Sequence, residues 1–312
     1  NAGPDNIFAG VGCYPASLCL GSRPAMRSDR IAYLFILPNY AIYLAFIFAP
    51  ALAVVYLGFT DYSFVAAPRL IGLQNYFRLA ADRIFIRAVV NTILYWIITV
   101  GVSMAIGLAL AVLLNKPRRG VAFFRGTFYL PNVLSLVAVA LMWLWIYDPA
   151  RGVLTTLCFA LGLPASDWLF DPRLALYLVM VPGVWTMLGF NMVIYLAGLQ
   201  AISPDYYEVA KIEGASAVEQ FRWITLPLLR PITFFIFVMS SIRSFQVFDQ
   251  IYIMTRGGPL NTTTTIAFEI YQNGFQYYKM GYASSMSVVL LLIVGALTLV
   301  NFAYGREGSE GV

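Results

Sequence analysis

Four polar residues interrupt an apolar run at SIRSFQVFDQIY: Arg243, Gln246, Asp249 and Gln250. At helical spacing Gln246 lies three and four residues from Asp249 and Gln250, so the three share a face, with Arg243 one turn below on that side. Amide, carboxylate and guanidinium groups in such a stripe can hydrogen-bond hydroxyls, and polar side chains inside a bilayer usually face the bundle interior. The preceding apolar run carries Trp185, Thr186, Asn191 and Tyr195, the last two one turn apart. Aromatic faces beside hydrogen-bonding groups are what a polyhydroxylated ligand requires. The alternative for both runs is that these groups tie helices together or pair with one another. Asn39, Asn91 and Asn132 are further polar intrusions and read as packing.

Other chemistries lack their residues. The chain has no histidine, which removes the commonest general base and metal ligand. Its three cysteines, Cys13, Cys19 and Cys158, form no CxxC pair, so neither a zinc site nor a disulfide framework is supported, and Cys158 reads as a buried thiol. No GxxxxGK[ST] loop occurs, so no ATP or magnesium site is expected on this chain and any ATP chemistry resides on another. A membrane-embedded enzyme would need paired carboxylates or an activated serine, and the acidic residues cluster in loops instead. An ion-coupled secondary transporter would place several ionisable groups at mid-membrane, where only Arg243 and Asp249 qualify.

The elements that must position these residues are apolar helices. Of 312 residues 60% are hydrophobic and 11% charged, against roughly a quarter charged in soluble domains. The composition is that of an all-α integral membrane protein lying in a lipid bilayer. The net charge of +5 bears on orientation rather than on nucleic acid. About six transmembrane helices are expected. They cover about 31–59, bent by Pro38 and Pro50, then about 86–114, a third ending near Tyr147, and about 174–199, 232–254 and 282–304.

Residues 72–79 and 154–163 read as short surface helices, and 255–281 as a loop. Residues 1–25, rich in Gly, Pro and Ala, are expected to be an N-terminal extension ahead of a transmembrane domain over 26–312, with Met26 a plausible start. The compact basic turn of Lys116, Arg118 and Arg119, followed by Arg125, favours both termini on the cytoplasmic side.

Between the fourth and fifth spans lies a polar stretch, 203–231. Ser203 can cap a helix with Pro204 at its first position and Asp205 in its first turn, running to about Glu213. Gly214 can take a left-handed turn, and Ser216 with Glu219 fits a capping box for a second helix to about Ile224, which Pro227 ends. From helix signals alone, an amphipathic linker resting on the headgroups is an equal reading.

The residues Glu208, Ala210, Ile212, Gly214, Ala215, Ile224 and Leu226-Pro227 resemble the EAA loop of ABC importer membrane subunits. Val209 replaces the first alanine of the fullest pattern and Glu213 its commoner aspartate. Together with GLQNY (72–76), Leu199–Ile202 and the run from Phe245 to Pro259, the chain is similar to the first membrane subunit of maltose-type and glycerol-phosphate-type permeases. The resemblance implies the six-span type I importer fold and a bacterial inner-membrane location. It also implies a cytoplasmic coupling helix formed by Glu208, Ala210, Lys211, Ile212, Glu213, Gly214 and Ala215.

The implied partners are a second homologous permease subunit, an ABC ATPase dimer that carries ATP and magnesium, and an extracytoplasmic substrate-binding protein. The implied function is one half of the pore for ATP-driven carbohydrate uptake. Carried over, the substrate positions are Trp185, Thr186, Gly189, Asn191, Gln246 and Asp249, beside Tyr195.

Overall fold

A computed structural model of the protein describes residues 28–116, 118–162 and 167–307. The expected extension over 1–25, with Cys13 and Cys19, lies outside the described residues. Among those described, the chain is helical apart from two isolated bridges, Thr60 with Leu70 and Ser63 with Ala66. Among the described residues five helices are long and apolar enough to cross a membrane, and one pair bent by 102° brings the number to six where it is counted as a single broken span.

The chain divides into two units, residues 1–52 and 53–312. Helix α1 (Ser28–Tyr43), in the first, passes through Pro38 into a π turn, Leu44–Phe48, which leads into α2 (Ala49–Gly58), a helix that begins in the first unit and ends in the second. The π turn has a local cause. Proline has no N–H and its ring collides with the carbonyl four residues back, and the wider turn before Pro50 relieves both. Ala49 N–H accordingly donates to Leu44 C=O.

In the second unit, the surface helix expected at 72–79 is α3 (Gln74–Ala81). Asp82 then caps α4 (Arg83–Leu114), its Oδ1 accepting from the Ile84 and Phe85 amides at 2.8 and 3.4 Å. The third span is not the continuous helix expected from hydropathy. It is α5 (Val121–Val133) and α6 (Leu136–Ile146), bent by 102° where Leu134 and Ser135 are extended. Pro131, Asn132 and Ser135 stand at the break, but the surrounding run keeps the hydropathy of a single span.

Helix α7 (Val153–Ala160) is shorter than the expected 154–163 but falls in the same place, and α8 (Ala175–Ala201) is the fourth span. The polar stretch follows as α9 (Pro204–Ile212) and α10 (Ala217–Gln220), then a π turn, Phe221–Thr225, and α11 (Leu226–Leu228). Pro227 therefore does not end the second helix. As at Pro50, a π turn in the same register before the proline lets the helical path continue, with Leu226 N–H donating to Phe221 C=O.

The fifth span is α12 (Arg230–Phe245) and α13 (Asp249–Met254), parted by three non-helical residues. The stretch read as a loop over 255–281 contains α14 (Ile266–Tyr271) and a π turn, Gln272–Gln276, before α15 (Met280–Glu307).

Helices α4 and α8 form the centre of this unit. Gly107 lets them approach closely, since a side chain there would meet Asn191 Cβ at 2.9 Å and the Met192 amide at 3.2 Å. Gly189 does the same for α5, whose Phe128 carbonyl occupies the space a β-carbon would need. Apolar layers fill the remainder, one around Tyr95, Met180 and Ile251 and another around Met192, Leu196 and Ile236. The threonines of 262–265 clasp α14 onto α4. Asn91 Nδ2 donates to the Thr262 and Thr264 carbonyls at 3.0 and 2.9 Å, and the Ile266 amide donates to Thr92 Oγ1 at 3.0 Å.

Candidate functional site

Two breaks in membrane-spanning helices face one cavity. A cleft of about 460 Å³ is lined by Asn132, Leu134 and Leu136 at the α5–α6 bend and by Arg243, Ser244 and residues 246–250 at the α12–α13 break. Tyr95 of α4 and Gly183, Thr186 and Met187 of α8 complete it. Irregular backbone at membrane depth leaves amide and carbonyl groups that lipid cannot satisfy, so it persists only where it is buried or lines a polar cavity. The breaks and the cleft thus explain each other.

The polar stripe of the fifth span is rearranged by its break. Gln246 terminates α12 and Asp249 opens α13, so the two do not share a helix face as their spacing predicts. They nevertheless line the same cleft, together with Arg243 and Gln250. Gln250 is buried and its Oε1 accepts from Tyr95 Oη at 2.6 Å, which leaves Gln246, Asp249 and Arg243 as the open polar groups. Thr186, also on the cleft, donates to the Gly183 carbonyl at 3.0 Å.

The other candidates from the fourth span lie elsewhere. Asn191 is fully buried and bridges three helices, donating to Ser103 Oγ and accepting from Ser240 Oγ, both at 3.1 Å. It belongs to a polar seam between α4 and α12 that also contains Trp96 Nε1 to Ser241 Oγ at 2.8 Å and the Thr99–Ser244 pair at 3.1 Å. Gly189 is the contact of α8 with α5, and Tyr195 is buried in the apolar layer around Met192. Trp185 packs edge-on against Trp143 beside a separate apolar groove. Of the fourth-span set only Thr186 reaches the cleft. Spacing missed Tyr95 and Gly183, because an aromatic and a glycine in a spanning helix carry no signal of which neighbour they meet.

The polar stretch after α8 is built as its caps require. Ser203 Oγ accepts from the Asp205 amide at 3.3 Å. Helix α9 closes in a Schellman motif, with the Ala215 amide on the Ala210 carbonyl at 2.8 Å and the Gly214 amide on the Lys211 carbonyl at 3.1 Å. Gly214 has φ +83°, the left-handed value its position demands. In the capping box, the Ser216 amide and hydroxyl both reach Glu219 Oε2 at 2.7 Å, holding that carboxyl below the usual range. Tyr207 Oη meets Thr225 Oγ1 at 2.9 Å and joins the two arms.

Of the predicted coupling residues, Ala210 is buried and Ala215 half-buried; Glu208, Lys211, Ile212, Glu213 and Gly214 are exposed. Tyr206, Val209 and Ile212, three residues apart, form an apolar stripe on α9, Ile212 being 86% exposed. Val218 and Trp223 on the second arm are likewise exposed and were not anticipated. A rigid, charged-and-apolar knob at the end of α8 is suited to seating in a groove of another protein.

Comparison with known proteins agrees with this architecture. Residues 98–306 match the family model described as binding-protein-dependent transport system inner membrane component. The chain is 38% identical over 284 residues to the probable ABC transporter permease YesP of Bacillus subtilis, covering 89% of this chain and 91% of that one. It is 32% identical over 291 residues to the trehalose/maltose transport system permease MalF of Thermococcus litoralis, covering 92% and 97%. Its fold matches a chain of a bacterial alginate ABC transporter, crystallised with an alginate pentasaccharide-bound periplasmic protein, with a TM-score of 0.80 and 24% identity over 90% of this chain and 95% of that one. The chain therefore belongs to the family of binding-protein-dependent transport system inner membrane components, the permease subunits of ABC importers.

Proposed function

We propose that this permease carries a carbohydrate, such as a di- or oligosaccharide or a related sugar phosphate, through the cleft between α5–α6, α8 and α12–α13. The observation that carries the reading is the meeting of two broken spans at one cleft that holds Gln246, Asp249, Arg243 and Thr186. Planar amide and carboxylate groups bond hydroxyl pairs, and the substrates in the names of the two relatives and the fold match above are saccharides where one is named.

The cleft connects to the polar stretch through α8. From Gly183 to Ala201 the helix rises about 27 Å, so the cleft and the exposed knob lie toward opposite ends of one rigid rod. With both termini cytoplasmic, 203–231 seats in a groove of an ATPase subunit, and the chain pairs with a second, homologous permease subunit to complete the pore. ATP and magnesium bind on an ATPase dimer rather than on this chain. A loaded binding protein and ATP favour the same outward-facing state, so each strengthens the other's effect by linkage, and hydrolysis resets the inward-facing state.

The test is uptake by the reconstituted importer with its binding protein and a panel of labelled sugars. One sugar should accumulate only with ATP inside, and Gln246→Ala should lower its uptake at least severalfold with the assembly intact. Uptake that ignores cleft substitutions would overturn the path.

A further inference from the structure

Arg243 lies in the last turn of α12 and lines the cleft. Its Nη1 donates to Asn132 Oδ1 at 3.1 Å, and its Cζ stands 4.6 Å from the centroid of the Phe190 ring. Asn132 comes from α5 and Phe190 from α8, so two other helices hold the guanidinium in place. Among the described residues no aspartate or glutamate forms an ion pair with it. Its two holders are a neutral amide and a ring face.

A guanidinium is charged at every accessible pH and presents five donors in a planar fork that fits a carboxylate or a phosphate with two parallel bonds. One donor is used here, by Asn132. Arg243 is exposed to the cleft in this chain, where Asn132 and Phe190 hold its guanidinium, and a cation at membrane depth favours a counter-charge. The cleft's own carboxylate, Asp249, makes no ion pair with it, and as an acceptor it suits hydroxyls.

We infer that Arg243 sets the charge specificity of the cleft and that the transported carbohydrate carries a carboxylate or phosphate group. That group seats on the Arg243 fork while sugar hydroxyls meet Gln246 and Asp249. The inference rests on the carbohydrate reading above. It adds that a neutral sugar leaves the cation unanswered, and that binding weakens as salt is raised.

The experiment uses the complete importer, with its second membrane subunit and ATPase subunits, in nanodiscs without the binding protein, so that selection by that protein does not enter. Calorimetric titrations compare digalacturonate with galactobiose, and maltose 1-phosphate with maltose. Wild type should bind one anionic sugar at least about tenfold more tightly than its neutral counterpart. The pair that responds separates carboxylate from phosphate. Arg243→Gln should abolish the preference, Arg243→Lys should keep part of it, and Asn132→Leu, which retains the charge but frees the guanidinium, should reduce it severalfold.

Equal binding of charged and neutral sugars by wild type overturns the inference and leaves the carbohydrate reading standing. Loss of the second membrane subunit from the Arg243→Gln assembly also overturns it, since Arg243 would then be pairing with a partner's acid. Binding of none of the four sugars overturns the inference, while the carbohydrate reading falls only if the importer with its binding protein takes up no labelled sugar.

Discussion

Tyr95 donates a hydrogen bond to Gln250 at 2.6 Å through the space left by the missing side chain of Gly183. A β-carbon at Gly183 would collide with the Tyr95 hydroxyl, so three helices depend on that glycine to form the wall of the cleft. Gly183→Ala should destabilise the assembly by about 1–3 kcal/mol, as overpacking does, and lower uptake. Adding Tyr95→Phe removes the clashing oxygen and should restore part of the thermal stability, measured by the melting of the purified complex.

Asn191 ties α8 to α4 and α12 through Ser103 and Ser240. Asn191→Leu removes both bridging hydrogen bonds, each worth about 0.6 kcal/mol between membrane helices with wide variation, and leaves Ser103 and Ser240 without that partner. Melting temperature should fall, while the KM for uptake in the surviving fraction stays within about twofold of wild type; an interaction uniform in ground and transition states would instead appear in KM.

At Gly214 the structure separates backbone strain from crowding. Nothing lies within 4 Å of the position a β-carbon would take, yet φ is +83°. Gly214→Ala should therefore cost about 1 kcal/mol from the left-handed conformation alone. Gly214→Asn, which tolerates that conformation better, should cost less. Transport coupled to ATP hydrolysis should rank Gly, then Asn, then Ala.

Glu269 is 5% exposed, and its carboxylate accepts from Thr264 Oγ1 at 2.6 Å and Asn273 Nδ2 at 3.1 Å. Burial raises its pKa above the ordinary carboxylate value; the Thr264 hydrogen bond opposes this, nearby Asp82 adds to it and Asn273 opposes it. The folded chain thus holds this proton more tightly than the unfolded chain. The stability it contributes is present at low pH and lost as pH rises from the ordinary value through the raised one. Glu269→Gln should flatten that component of the melting-temperature profile above the ordinary carboxylate range. The slope is the readout, because glutamine cannot accept both hydrogen bonds and shifts the baseline.

Much of this was legible from residue types with strong local rules. Ser203, Gly214, Ser216 and Glu219 each satisfy a specific backbone demand, and their caps and turn appear where the spacing puts them. Hydropathy located the spans because lipid imposes their length. It did not show the α5–α6 bend at Leu134 and Ser135, nor the α12–α13 break, where Gln246 ends one helix and Asp249 starts another, because hydropathy over a window does not register a short non-helical interruption. Spacing misplaced Asn191 and Tyr195. Helical spacing identifies a shared face but not whether that face meets a cavity or another helix.

On the proposed function, 203–231 transmits ATPase motion to the cleft along α8. The reconstituted importer is purified as wild type, Glu208→Lys and Gln246→Ala, and ATP hydrolysis stimulated by the loaded binding protein is measured. Glu208→Lys should lose the copurifying ATPase and the stimulated hydrolysis, whereas Gln246→Ala should retain the ATPase and lose substrate uptake. Full ATPase retention and stimulation in Glu208→Lys would contradict the account.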